Sequence, residues 1–147
     1  MSEQIQLFTP MIYCDGALEA IAFYEDVFGA KEITDRRMLA SHVVPGAEND
    51  PELSRTVVYA KLQFSDGSAL NVADHWGDPS ARSGSVTGNN IHIGTQHASP
   101  ATQRKAFEKL ATEGTVHEAL EPKPWGAVYG IVQDKYGVIW EMNCYAG

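Results

Sequence analysis

The sequence predicts an α+β fold built from two consecutive β-α-β-β-β modules, and three observations predict it. A helical segment with a glycine stop occurs once in each half, "ALEAIAFYEDVFG" and "SPATQRKAFEKLATEG". Each half closes on a turn followed by a strand, "FSDGSALN" and "DKYGVIWE", which aligns Gly67 with Gly137 and Asn71 with Glu141. Between the halves lies "DHWGDPSARSGSVTG" (74–88), whose Gly- and Ser-rich composition is that of a linker.

The elements follow in order. Residues 6–14 read as a first strand, broken by Pro10 and therefore at an edge or bulge. In the first helix Leu18, Ile21, Ala22, Glu25 and Phe28 lie near one stripe, Phe23 packs on the sheet, and Tyr24 lies nearer its edge. Gly29 stops that helix. A second strand runs from Lys31 to Leu39, and a polar loop covers 43–52. Residues 56–64 alternate as a strand, and the turn "SDGS" leads into the short strand "ALNVA". In the second half 89–95 is a strand and 99–114 a helix, with Ser99 as N-cap, Pro100 as first helical residue and Gly114 as stop. Three strands complete it, near 115–120, 127–133 and 138–145. One domain of 147 residues thus contains module one at about 1–75, a linker at about 76–88 and module two at about 89–147.

Composition narrows the function classes. Net charge is −8, the pI is near 5.0, and no basic cluster exceeds Arg36-Arg37. Nucleic acid and anionic membrane are disfavoured as partners, because binding phosphate needs a basic footprint. The N-terminal "MSEQIQLFTP" lacks a basic region and apolar run, and no stretch is long enough to span a bilayer. Cys14 and Cys144 form neither a disulfide framework nor a zinc spacing, and their apolar strand contexts make them buried, inert thiols. The expectation is a soluble cytoplasmic protein. No Gly-rich phosphate loop is present either.

The last strand carries the chemistry. Val138, Trp140, Met142 and Cys144 share one face, which reads as core. Ile139, Glu141, Asn143 and Tyr145 share the other, a mixture that suits a cavity wall. A carboxylate buried there without a charged partner has its pKa raised and becomes a usable general acid or base. Tyr129 and His92 are candidate partners for it, as is Asn71. Tyr13 has the strand parity of Thr9 and Met11 and looks into the same space, and Trp125 reads equally as pocket wall or dimer contact. His75 reads as a surface histidine.

"DGALEAIAFYEDVFGAKE", "FSDGSALNVAD", "GNNIHI", "AFEKLATEG" and "PWGAVYGIVQDKYGVIWEMN" together cover nearly the whole chain. In these segments the sequence resembles the PhnB-like family of the vicinal-oxygen-chelate superfamily, the glyoxalase/bleomycin resistance/dioxygenase fold. The resemblance implies two βαβββ modules whose sheets curl around a shared cavity, helices outside, and a homodimer. It also implies that metal-using members draw ligands from the first and fourth strands of each module. Those positions fall here at Thr9 and Asn71, and at His92 (or Asn90) and Glu141. The first functional reading is a small organic ligand in the intermodule cavity, with His92 and Glu141 as catalytic or polar centre and Thr9, Tyr13, Asn71, Asn90, Trp125 and Tyr129 lining it. One alternative is a divalent metal on His92 and Glu141, acting as Lewis acid on a substrate with adjacent oxygens. Another is a resistance-type protein that sequesters an antibiotic.

Overall fold

The computed structural model describes residues 8–75 and 86–145. It divides into two compact units, Met1–Ser85 and Val86–Gly147, each with its own sheet and helix. Most of the expected linker lies outside the described residues, as do the first two residues of the expected first strand.

In the first unit the strands are β1 (Met11–Tyr13), β2 (Lys31–Glu32), β3 (Met38–Leu39), β4 (Val57–Gln63) and β5 (Ala69–Ala73), with helices α1 (Ala17–Phe28) and α2 (Ala40–Val43). The sheet order is β1-β5-β4-β2, with β3 also on β4; β1 runs parallel to β5 and the other pairs are antiparallel. The second unit has β6 (Ile93–Gln96), α3 (Pro100–Ala111), β7 (Thr115–Pro122), β8 (Val128–Gln133) and β9 (Ile139–Cys144). Its order is β6-β9-β8-β7, again with only the first strand of the unit parallel to its neighbour. Both units therefore repeat one α+β plan, a crossover helix joining strands of one sheet.

Each helix covers one sheet face. Ala17, Ala20, Ile21, Tyr24 and Val27 of α1 are buried, and the sheet supplies Ile12, Ala60, Leu62, Leu70 and Val72. This stripe is rotated from the expected one: Ala22 is exposed, and Tyr24, not Phe23, is fully buried. The cause is at the helix start. Gly16, at φ 92°, caps α1 with no side chain of its own, and Asp74 at the end of β5 accepts from Gly16 N and Ala17 N at 3.2 and 3.0 Å. That carboxylate supplies the missing cap and draws Ala17 down onto the sheet. Its other oxygen takes Val57 N at 2.8 Å.

Three further expectations shift. The strand expected at 31–39 is interrupted by a 3-10 turn, Thr34–Arg36, which brings Arg37 back onto Glu32 in a two-pronged ion pair. The polar loop expected at 43–52 is entered from α2. The second helix ends at Ala111 rather than Gly114, with Thr112 as C-cap and Glu113 in the left-handed region at φ 59°. Gly114 serves packing instead: a Cβ there would collide with the carbonyl oxygens of Leu110 and Gln133. Ser99 does cap α3, its Oγ accepting from Thr102 N at 3.2 Å.

In the second unit Gln103, Ala106, Phe107 and Leu110 of α3 meet Val132, Trp140, Met142 and Cys144. Gln103, fully buried, donates from Nε2 to Val128 O (2.9 Å) and Met142 O (3.2 Å), so one amide ties the helix to β8 and β9. Among the described residues, no helix is long and apolar enough to cross a membrane.

Candidate functional site

The β8–β9 hairpin is built by Asp134. Its Oδ1 accepts from Tyr136 N (2.9 Å) and Val138 N (3.1 Å), and its Oδ2 from Trp140 Nε1 (2.9 Å). One buried carboxylate thus closes the turn and anchors the indole against α3. With Trp140, Met142 and Cys144 committed to the helix side, alternation sends Glu141 and Asn143 to the opposite face.

On that face Glu141 is held at both oxygens. Tyr129 Oη donates to Oε1 at 2.8 Å, and His92 Nδ1 lies 2.7 Å from Oε2. Tyr129 belongs to β8, where it stands opposite Asn143; its side chain leans one pair along the hairpin to reach Glu141. His92 precedes β6, and its Nε2 lies 3.0 Å from Asn89 O. Trp125, in the turn between β7 and β8, packs edge-on to the Tyr129 ring at 5.7 Å and is 55% exposed. Gly94 of β6 stands beside Glu141 with no side chain, and a Cβ there would meet nothing within 4 Å. A carboxylate, an imidazole, a phenol and an indole therefore border an open patch of sheet.

The raised pKa expected of a buried carboxylate without a partner does not apply here, because Glu141 is hydrogen-bonded at both oxygens. The hydrogen bonds from His92 and then Tyr129 pull the Glu141 pKa below the ordinary carboxylate value, outweighing the effect of burial. Tyr129 moves the other way, pushed up to about 12 by burial first and by the Glu141 carboxylate second. Glu141 is accordingly an ionised acceptor. Both nitrogens of His92 face oxygen atoms, Nδ1 the Glu141 carboxylate and Nε2 the Asn89 carbonyl.

Three other expected site residues, Thr9, Asn71 and Tyr13, belong to the first unit. Thr9, half-buried, precedes β1, and Asn71 lies on β5 with its Oδ1 buried and, among the described residues, lacking a hydrogen-bond partner. Tyr13 is 37% exposed and stacks on His75 at 5.9 Å. His75 is no simple surface residue: its side chain is 21% exposed and its Nε2 lies 3.7 Å from Asp15. Asn90 is exposed, and it is His92 that reaches Glu141. Sequence reading passed over Asp74 and Gln103; an aspartate just after a strand is the only local sign of the first.

A divalent metal finds a poor donor set. Among the described residues no three His, Cys, Asp or Glu side chains gather to hold one. His92 and Glu141 supply two donors and spend them on each other, on Tyr129 and on Asn89, whereas such a site draws about three or more from the protein.

Comparison with known proteins places this geometry. The family model described as Glyoxalase/Bleomycin resistance protein/Dioxygenase superfamily matches residues 6–142. Among solved structures, a PhnB protein from Bacillus cereus is similar at TM-score 0.72 and 23% identity, over 95% of this chain and 99% of that one. Protein PA1353 from Pseudomonas aeruginosa is similar at 0.71 and 26%, over 97% and 98%. A glyoxalase/bleomycin resistance protein/dioxygenase family enzyme from Burkholderia phytofirmans follows at 0.66 and 15%, over 94% and 97%. At 23% and 15% identity the likeness is one of fold. A search of curated proteins gave no significant match.

Proposed function

This chain belongs to the glyoxalase/bleomycin resistance protein/dioxygenase superfamily, and on that premise we propose that it binds a small organic ligand, without a metal, on the open sheet face of its second module. Glu141, His92 and Tyr129 form the polar centre and Trp125 the apolar wall. The observation that carries the reading is the double grip on Glu141, at 2.8 Å from Tyr129 and 2.7 Å from His92. Two side chains from different segments converge on one half-buried carboxylate, a polar arrangement on a strand face whose opposite side already packs against α3. Few placed polar groups beside an aromatic wall is the usual composition of a ligand site. We further propose that it works in the cytoplasm as a homodimer, in keeping with the family resemblance and with the burial of Cys14 and Cys144.

The test is elemental analysis of protein purified without a histidine tag, beside Glu141→Gln. The expected result is no divalent metal in either, and none retained after addition and dialysis. Near-stoichiometric metal in the wild type, lost in the variant, would overturn the metal-free reading and favour a Lewis-acid enzyme.

A further inference from the structure

We propose that Asn143 sets ligand specificity on this face, its amide oxygen taking a hydrogen bond from an N–H or O–H donor on an aromatic ligand. The proposal rests on the ligand-binding reading above and narrows its ligand to a class.

The argument is an accounting of polar atoms. Glu141 has a donor at each oxygen, Tyr129 has spent its proton on Glu141, and both His92 nitrogens face acceptors. Every group in the polar centre is engaged within the protein. Asn143 differs. It lies two residues beyond Glu141 on the same face of β9, directly across from Tyr129 of β8 and alongside Gln96 of β6. Its Oδ1 is buried and, among the described residues, has no hydrogen-bond partner. Buried side-chain oxygens are nearly always satisfied, so an exception calls for a partner from outside the chain. An amide oxygen only accepts, so that partner is a donor. The torsion that turns the amide is broad and roughly two-fold, so on ligand binding the oxygen turns outward and Nδ2 takes the buried position.

The aromatic part of the proposal comes from Trp125. Its ring is more than half exposed and meets Tyr129 edge-on, which leaves an apolar face bare next to the residue opposite Asn143. A planar ring covering that face carries a donor substituent to Asn143. Offset or edge-on contact between rings is the favoured geometry for such a pair.

Matched probes test this on the full chain: phenol against anisole, benzamide against N,N-dimethylbenzamide, and indole against 1-methylindole. Binding is followed by amide chemical shifts at Trp125, Tyr129 and Asn143. In the wild type the donor member of each pair binds about tenfold more tightly, the value of one hydrogen bond. In Asn143→Leu the ratio falls to about one while the donor-free member binds as before; Asn143→Ala serves the same purpose should the leucine variant misfold. A preference that survives in these variants, or equal binding in the wild type, overturns the role of Asn143 and leaves the site standing. If no probe moves the Trp125 and Tyr129 resonances, the ligand-binding reading falls and this one with it.

Discussion

Replacing Tyr129 by Phe removes one of the two donors that keep Glu141 ionised, and the structure sets the size of the effect. At about 1.4 kcal/mol per pH unit, the rise of the Tyr129 pKa from 10.0 to about 12 is worth roughly 3 kcal/mol in favour of the neutral phenol. Burial is its largest cause, so the hydrogen bond to Glu141 accounts for the smaller part. The Glu141 side chain is also 35% exposed, which discounts the charge further. About 1 kcal/mol remains for the bond, or a fall of about 3 °C in Tm. The pH dependence has a definite sign. Glu141 has a lowered pKa, so its contribution is present above 4.5 and is lost as pH falls through the lowered value. Tyr129 has a raised pKa, so its contribution is present below 10.0 and is lost as pH rises through about 12. The stability difference between wild type and Tyr129→Phe is therefore full at neutral pH and shrinks in acid. Urea unfolding near pH 7 and near pH 3 measures it, and carboxyl ¹³C shifts of Glu141 show its titration midpoint rising in the variant. A difference equal at both pH values, or an unmoved midpoint, refutes the account.

Asp134→Ala strips the acceptor from two turn amides and from the indole N–H of Trp140, which is 1% exposed. A loss of about 3–4 kcal/mol is expected, shrinking to about 2 kcal/mol when measured in a Trp140→Phe background; urea unfolding of the four proteins in that cycle reads the coupling. Gly94→Val leaves stability within about 0.5 kcal/mol, since a Cβ there meets nothing, but it fills the space beside Glu141. Its probe binding should weaken at least tenfold by the same chemical-shift titration. Ser99→Ala costs about 1 kcal/mol through the lost cap on Thr102 N, with no change in probe binding.

Much of this was legible in the sequence because it is local. The turn at Asp134 and Gly137, the alternation that separates Trp140 from Glu141, and the Ser99-Pro100 helix start are each decided within a few residues. What the sequence hid depends on residues far apart. The face that α1 buries is set by Asp74, more than fifty positions away, and no helical period in 17–28 reports that carboxylate. Gly114 looks like a helix stop, and only the strand passing Gln133 shows it to be a close-approach glycine. The lowered pKa of Glu141 was out of reach of the sequence for the same reason. Burial alone raises a carboxylate pKa, and its reversal needs two donors whose arrival depends on hairpin register and on His92 folding back from outside β6.

The registers of the two sheets explain why one module carries the charge. Met11 stands beside Asn71 as Gly94 stands beside Glu141, so Thr9 and His92, each two residues earlier, hold equivalent positions. Across the hairpins Lys61 faces Asn71 as Ile131 faces Glu141, which makes Tyr59 the counterpart of Tyr129. The backbone thus offers the same four places twice. In module one they hold Thr, Asn, Tyr and Lys; in module two His, Glu, Tyr and Ile. A carboxylate opposite Lys61 would be neutralised by a neighbour on its own sheet, whereas opposite Ile131 it must draw its stabilisation from Tyr129 and His92. That arrangement keeps Glu141 ionised while leaving an apolar strand beside it, and apolar surface next to a fixed charge is what an organic ligand can use. The repeated fold supplies the positions, and the residues that differ between its halves supply the site.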